Sequence, residues 1–555
     1  MFYRYSRYNL TKKQRLWERF FETIPGGLSW FIIIGMTVLS FVRPLIATVI
    51  IIAFVLYWLL RLMYMNILLL AAYTRFKVEK ETDWMKRIEQ IDLLSSDCDY
   101  SIVKTEGRDW HRKVSGSIYK KQIENLVKSG SMPALSKDIY HVVIVPTVKE
   151  SREVVEPGIA SIENGSFPSQ RILLIIALEQ RAEGSIKSQM YELQQAHKDK
   201  FFDFLIVEHP SDMEGEARVK GANATYSARK AADYLTGKGI PFENVIVSCF
   251  DADTVAVSDY FSCLTYYFMI TPDRIRASFQ PIPVYHNNIW DVPCFARIID
   301  IGISFFQFVE ATDPRTLVTF SSHSMSFKAL SEIDYWPTDI ISDDSAIYWK
   351  AFLHYDGNYQ TIPIPIAVSM DIITGETVLE TFVNVYKQKR RWAWGVENFP
   401  IIMRGFLSSN RISIWKKIPH TIKLLDKSSS WATWSFLLTV IGWLPIMLAQ
   451  KEFADTTVYY IAPRIRLMVF SLASFGLFVC ITLSLLMLPP EKTKGRFFRK
   501  LLHCAEWLLI PVVVLFLSAL PALDAQTRLM FGGYMEFWVA DKYRNKQGGE
   551  SQSTD

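Results

Sequence analysis

Cysteine is scarce in this chain: six in 555 residues, at positions 98, 249, 263, 294, 480 and 504, with no Cys-x-x-Cys pair. Scattered thiols in mostly apolar surroundings exclude a disulfide framework or a cysteine zinc site and fit a reducing compartment. Charge of one sign is also in short supply. A net charge of +5 gives no broad basic surface, so nucleic acid is not an expected partner. No internal repeat is visible.

Apolar residues, by contrast, are abundant. Half the chain is hydrophobic, 14% is aromatic and the mean hydropathy is +0.12, too apolar for an ordinary soluble protein of this length. Residues 28–42 and 45–60 are long apolar runs parted only by Arg43-Pro44. Each is close to the roughly 20 residues that span a bilayer, and the break predicts a helical hairpin. A cleaved signal peptide fits poorly, because the apolar region is doubled and lies far from the start. Arg4, Arg7, Lys12, Lys13, Arg15 and Arg19 face only Glu18 in residues 1–20, which puts that end in the cytoplasm. Further apolar runs lie at 431–449, 465–488 and 502–520, with the basic loop PPEKTKGRFFRK before the last. Residues 502–520 contain His503, Glu506 and Pro511, with Pro521 just beyond. They are expected at the interface or as a re-entrant segment, leaving four spans.

Between the apolar ends, residues 75–425 lack long apolar runs. HVVIVP (141–146), RILLIIAL (171–178), DFLIVEH (203–209), NVIVSCF (244–250) and RIRASFQ (274–280) read as strands. Helical stretches at 184–199, 216–235 and 257–270 separate them. That alternation predicts an α/β fold with a largely parallel sheet, whose ligands gather at the strands' C-terminal ends.

Asp251 and Asp253 stand where the strand 244–250 ends. Ionised carboxylates are costly to bury unless paired or metal-bound, and a D-x-D at a strand exit can hold Mg²⁺ or Mn²⁺ together with substrate phosphates. The alternative is a helix N-cap at Asp253. The segment from Glu376 places Leu379, Phe382, Val383 and Tyr386 on one stripe of an amphipathic interface helix. On that helix Gln388, Arg391 and Trp392 share a face. Arg suits a diphosphate and Trp a sugar ring, though a basic helix resting in lipid headgroups has the same composition. Asp343-Asp344 opens another helical segment, and at most one of the two can point into a given site. Such a carboxylate can accept a proton from an attacking hydroxyl, or simply favour the helix dipole.

Taken in order, Pro146-Thr147-Val148-Lys149-Glu150, Asp251-Ala252-Asp253, Ser342-Asp343-Asp344 and Gln388-Lys389-Arg390-Arg391-Trp392 resemble the motifs of membrane-embedded family-2 glycosyltransferases. The likeness is to their processive, cellulose-synthase-like branch. It covers residues 140–400 and the flanking apolar segments. It implies a GT-A-like, mostly parallel sheet with helices on both faces, flanked by transmembrane and interface helices. By motif, Thr147 and Glu150 line the nucleoside pocket. Asp251 lies near the nucleotide, and Asp251 and Asp253 hold the divalent cation. Lys220, in Lys220-Gly221-Ala222-Asn223, and Arg391 neutralise phosphate, Asp344 is the base, and Gln388 and Trp392 meet the acceptor. Phe537, Val539 and Lys542 in FWVADK resemble a gating loop over the nucleotide, where a tail helix on the membrane is the alternative.

At three places in the catalytic stretch the chain departs from the family pattern. Val148 and Lys149 replace an aromatic residue and Asn, Leu178-Glu179 replaces a base-reading Asp-Asp pair, and Asp343 replaces Glu. Glu179 then stands where the nucleobase is read. The expected organisation is a membrane hairpin (1–74), a cytoplasmic catalytic domain (75–375) and interface helices (376–428). A second membrane region (429–523) and a gating segment with a polar tail (524–555) follow. The expected activity is inverting transfer from a nucleotide-sugar, a UDP-sugar, to a growing glycan at the plasma membrane. Transfer of one sugar to a polyprenyl-phosphate or other lipid-linked acceptor is the rival enzyme. A transport or scaffold protein of the same fold is the rival of another class.

Overall fold

The computed structural model describes residues 5–7, 10–97, 109–211, 213–448, 451–489 and 496–536. Eight strands build one sheet: β1 Tyr140–Thr147, β2 Ile172–Glu179, β3 Asp203–His209, β4 Val245–Cys249, β5 Val255–Ala256, β6 Ala277–Val284, β7 Ser324–Ser326 and β8 Gln360–Ser369. Their spatial order is β3-β2-β1-β4-β7-β6-β8-β5. The first four are parallel to one another, and the apolar runs of β1, β2 and β4 are buried on both faces, as parallel strands commonly are. Val143 and Val145 of β1 enter one core while Val142 and Ile144 enter the other, the period-two alternation of a strand.

The far half of the sheet is mixed. β7 is antiparallel to both β4 and β6, and β5 to β8, while β6 and β8 are parallel. β5, β7 and β8 were not expected from sequence. β5 and β7 are too short to show periodicity, and β8 carries Pro363 and Pro365, which remove ladder donors. The fold accommodates them with a register shift opposite Gln280 and Ile282 of β6, a strand that has Pro281 and Pro283 of its own.

The helices used below are α1 Lys12–Val42, α2 Pro44–Glu79, α3 Lys220–Gly237, α4 Cys294–Glu310, α5 Asp343–His354, α6 Val378–Ala393, α7 Ile414–Thr439 and α8 Thr457–Met487. A capping box starts α1, with Thr11 and Gln14 each bonding the other's backbone N–H. Pro44 occupies the first turn of α2, where its missing N–H costs nothing, so Arg43-Pro44 is the expected turn.

Among the described residues, four helical runs are long and apolar enough to cross a membrane: Lys12–Val42, Pro44–Glu79, Thr457–Met487 and Lys500–Phe531. Ile414–Thr439 and Ile441–Met447 qualify as a fifth if read as one span bent by 43°. Arg466 of α8 stabilises that bend. Its guanidinium donates to the carbonyls of Gly442 and Leu438 and lies 3.8 Å from the Trp443 ring centroid. It thereby satisfies carbonyls freed where the helix breaks.

By length and composition Lys500–Phe531 is a span candidate, although it was expected at the interface. Its polar ties run to α4 and α6: Glu506 pairs with Arg297 of α4 at 2.6 Å, and Asp524 with Arg390 of α6 at 2.9 Å. The apolar stripe expected on α6 is divided. Leu379 is 74% exposed and Val383 also faces outward, whereas Phe382 packs edge-on to Phe295 and Tyr386 reaches Asp524.

Candidate active site

Segments far apart in sequence meet at the sheet edge where β1 and β4 end. Lys220 is the first residue of α3, and Gly221 follows it. A Cβ at Gly221 would collide with the carbonyl oxygen of Pro337 and lie 3.1 Å from the Asp343 Cβ. Glycine there lets α3 press against the start of α5. The Lys220 ammonium can then donate to Asp251 Oδ1 at 2.7 Å and to Asp344 Oδ1 at 3.0 Å. Burial works against the ammonium, but the carboxylates of Asp251 and Asp344 prevail and hold its pKa well above the usual lysine value.

Asp251 and Asp253 do different things. Asp251 keeps one face towards the open site and accepts from Lys220 and from the Ser321 hydroxyl. Asp253 is 2% exposed, and its Oδ2 accepts the backbone N–H of Asp371 at 3.0 Å. Asn287 braces the same corner by donating to the Asp253 carbonyl at 2.9 Å and to Asp371 Oδ1 at 2.8 Å. Among the described residues no group of three or more His, Cys, Asp or Glu side chains is arranged to hold a metal. Two carboxylates on one short loop are the donor set of a hard cation completed by substrate phosphates, so the residues fit Mg²⁺ or Mn²⁺ of that kind.

Adjacent acids at the start of α5 diverge as the helical pitch requires. Asp344 points to Lys220, and His323 Nδ1 lies 3.7 Å from its Oδ1. Asp343 points into the protein and is buried. Burial first, and the neighbouring Asp344 charge second, push the Asp343 pKa up to about 8. His323 is wholly buried and bonds the Phe320 carbonyl through Nδ1 at 3.1 Å. Burial pulls its pKa below the usual histidine value despite Asp344. Between Ser321 and His323, Ser322 adopts φ +58°, a left-handed conformation that side chains seldom take. This turn puts Ser321 on Asp251 and His323 beside Asp344.

On α6, Trp392 lies among Tyr285 and Phe320, each 6.1 Å away between ring centroids, and the Lys389 ammonium sits 3.7 Å from its ring centroid. Lys389 is itself buried and paired with Asp300 of α4. Burial pushes the Asp300 pKa up and pulls the Lys389 pKa down, and their mutual contact opposes both shifts. Gln388 is buried, with Oε1 3.3 Å from Lys389 Nζ. Arg391 lies within electrostatic range of Asp343 and Tyr285.

At the expected nucleoside end the side chains engage their own loops. Glu150 accepts the N–H groups of Val148 and Lys149 at 2.8 and 3.0 Å, Glu179 pairs with Arg181, and the Thr147 hydroxyl turns back to the Val145 carbonyl. Phe537, Val539 and Lys542 lie outside the described residues. Sequence reasoning missed Tyr285, Asn287, Ser321, His323, Asp371 and Glu397. Ser321 and His323 sit in the polar run SSHS just before β7, which was the one local signal.

Residues 246–519 match the family described as Glycosyl transferase family group 2. That match covers just under half of the chain and includes Asp251, Asp253, Asp344 and residues 388–392. The chain is similar to the poly-β-1,6-N-acetyl-D-glucosamine synthase of Staphylococcus epidermidis, 25% identical over 310 residues, or 55% of this chain and 64% of that protein. The synthase of the same name from Staphylococcus aureus strain COL is 30% identical over 99 residues, 18% of this chain and 21% of that one. The chain thus spans just under two thirds of the first relative's length. A solved mannosyltransferase from Pyrobaculum calidifontis, in complex with GDP-Man and Mn²⁺, aligns with 66% of this chain and 97% of its own at 14% identity and a TM-score of 0.37.

Proposed function

We propose that this membrane protein is an inverting glycosyltransferase that passes sugar from a nucleotide donor to a growing glycan. One observation carries the reading: Lys220 Nζ touches both Asp251 and Asp344, so the phosphate-facing acid and the acid at the start of α5 border one small volume. In a single displacement the acceptor oxygen forms its bond to the anomeric carbon as the bond from that carbon to the diphosphate oxygen breaks. Asp344 takes the hydroxyl proton, while Lys220 and Arg391 stabilise charge gathering on the departing diphosphate. A divalent cation held by Asp251 and Asp253 would supply further charge neutralisation there. Trp392, flanked by Tyr285 and Phe320, offers an aromatic wall to an acceptor sugar.

A UDP-sugar is the proposed donor. N-acetylglucosamine is the first sugar to test, because the curated relatives are named for a polymer of it. We place the catalytic domain in the cytoplasm and the protein in the plasma membrane. Arg7 and Tyr534, at opposite ends of the described chain, lie 4.9 Å apart, which supports an even number of crossings between them. Four fit, with Lys500–Phe531 held along the interface by its ties to Arg297 and Arg390.

The test is to incubate purified protein with a panel of nucleotide sugars and Mg²⁺ or Mn²⁺ and to measure free nucleotide. Release from one donor, dependent on the cation, is expected. No release from any donor would sink the proposal.

A further inference from the structure

Residues 5–7 precede the first apolar helix and lie outside every motif above, yet their contacts gather around the start of α5, at Asp339, Glu397 and Asn398. Tyr5 donates its hydroxyl to Asn398 Oδ1 at 2.5 Å. Asn398 in turn donates to Ser342 Oγ at 2.9 Å and Ser345 Oγ at 3.0 Å. Ser6 Oγ and the Arg7 N–H both bond Asp339 Oδ2, at 2.5 and 3.1 Å. The Arg7 guanidinium pairs with Glu397 at 2.9 Å. Glu397 is 1% exposed, and its Oε1 accepts both the N–H and the hydroxyl of Ser342, at 2.8 and 2.7 Å. Its Oε2 takes the Trp394 indole N–H at 2.8 Å.

Glu397 therefore lies between two functional elements. It stands five residues after Trp392, in the short turn that ends α6, and it grips the residue immediately before Asp343-Asp344. A carboxylate buried this deeply must be paired, and Arg7 is the cation against it. Arg404 locks the segment further by donating to the Ser6 carbonyl at 2.7 Å while pairing with Glu18 of α1 at 2.7 Å.

We propose that Tyr5–Arg7 is a positioning strap for the base: through Glu397 and Asn398 it fixes the start of α5, and so the placement of the Asp344 carboxylate. Arg7 and Glu397 are positioning residues, and the inference rests on Asp344 being the base. A small misplacement of a reacting group can cost roughly a hundredfold in rate. The strap makes no contact with Thr147, Glu150, Asp251 or Asp253 in the described structure, so donor binding should not feel it.

Steady-state nucleotide release is measured for Arg7→Ala, Arg7→Lys, Tyr5→Phe and Asp344→Asn, with nucleotide binding measured alongside. Arg7→Ala should lower kcat roughly ten- to a hundredfold with donor KM within about twofold of wild type. Arg7→Lys should recover most of that loss, and Tyr5→Phe should lower kcat a few-fold. If Asp344→Asn is inactive while Arg7→Ala and Tyr5→Phe keep the wild-type kcat, the strap is refuted and the base stands. If Asp344→Asn turns over normally, the base assignment fails first. Equal losses of donor binding and kcat in Arg7→Ala would make the strap a mere folding element. Should Arg7→Ala fail to fold, Tyr5→Phe and Arg7→Lys decide by the same split.

Discussion

The proposed nucleoside end of the site and the proposed base end are built on opposite plans. At the nucleoside end contacts are local: Glu150 closes its own loop two residues back, Glu179 pairs with Arg181, and His209 bonds Glu216. At the base end they are remote: Lys220 reaches 124 residues to Asp344, Glu397 reaches 55 back to Ser342, and Tyr5 crosses 393 to Asn398. Local contacts form with little loss of chain entropy, whereas each remote one depends on the finished fold. The loops that carry Glu150, Glu179 and His209 are self-contained on a parallel sheet. The base side is an assembly of termini, interface helices and α5, and hence the more sensitive to distant change.

The largest effects should separate the two ends by kind. Asp253→Ala is expected to abolish turnover and to weaken cation-dependent nucleotide binding as well, because it removes one of the two carboxylates offered to the cation. Excess EDTA should do the same to wild type, and full activity in either case would remove the metal role. Asp344→Asn keeps shape and much of the hydrogen bonding but cannot take a proton. Its kcat should fall by about 10²–10⁴-fold with nucleotide affinity nearly unchanged. A loss of binding equal to that in Asp253→Ala would erase the distinction between the ends.

How much was legible beforehand follows the same division. The parallel strands declared themselves as apolar runs, and short motifs singled out Asp251, Asp253 and Lys220, of which Lys220 and Asp251 pair in the fold. The far half of the sheet was hidden because β8 is interrupted by prolines and β7 is three residues long. His323 and Glu397 could not be found by any spacing rule, since their roles exist only once residues 320–323, 342–345 and 394–398 have come together. The pairing of Lys389 with Asp300 was equally invisible, because a lysine inside a basic motif reads as one more surface charge.

That pair gives the next effect in size. Lys389 and Asp300 are each 1% exposed in their side chains, and removing one partner of such a pair leaves a buried charge alone. Asp300→Asn should cost about 3–5 kcal/mol of stability. The double change Asp300→Leu with Lys389→Met should recover most of it, as both charges then leave together. Thermal unfolding in detergent checks this, and a double variant no better than the single one would show that the pair is not isolated. Activity of the double variant probes Trp392 separately, since the cation against its ring is gone.

The smallest effect is expected one residue from the base. Asp343 is buried, and its pKa is pushed up to about 8, chiefly by burial and then by the Asp344 charge. The shift favours its protonated form, of which asparagine is a close mimic. Asp343→Asn should leave kcat within a few-fold of wild type at pH 7, in contrast to the same change at Asp344. The stability consequence has a definite sign. A carboxyl whose folded pKa lies above its unfolded value of 3.8 contributes stability that is complete below that value and is lost as pH rises through about 8. The wild type should thus lose stability from about pH 4 to pH 8 through this group, and Asp343→Asn should remove that part of the slope. Melting temperatures of both proteins at pH 5, 6.5 and 8 test it: the variant should gain on wild type as pH rises. If instead it falls behind at pH 8, or its kcat drops as far as that of Asp344→Asn, the inward-facing acid is the working one and the two residues must exchange roles.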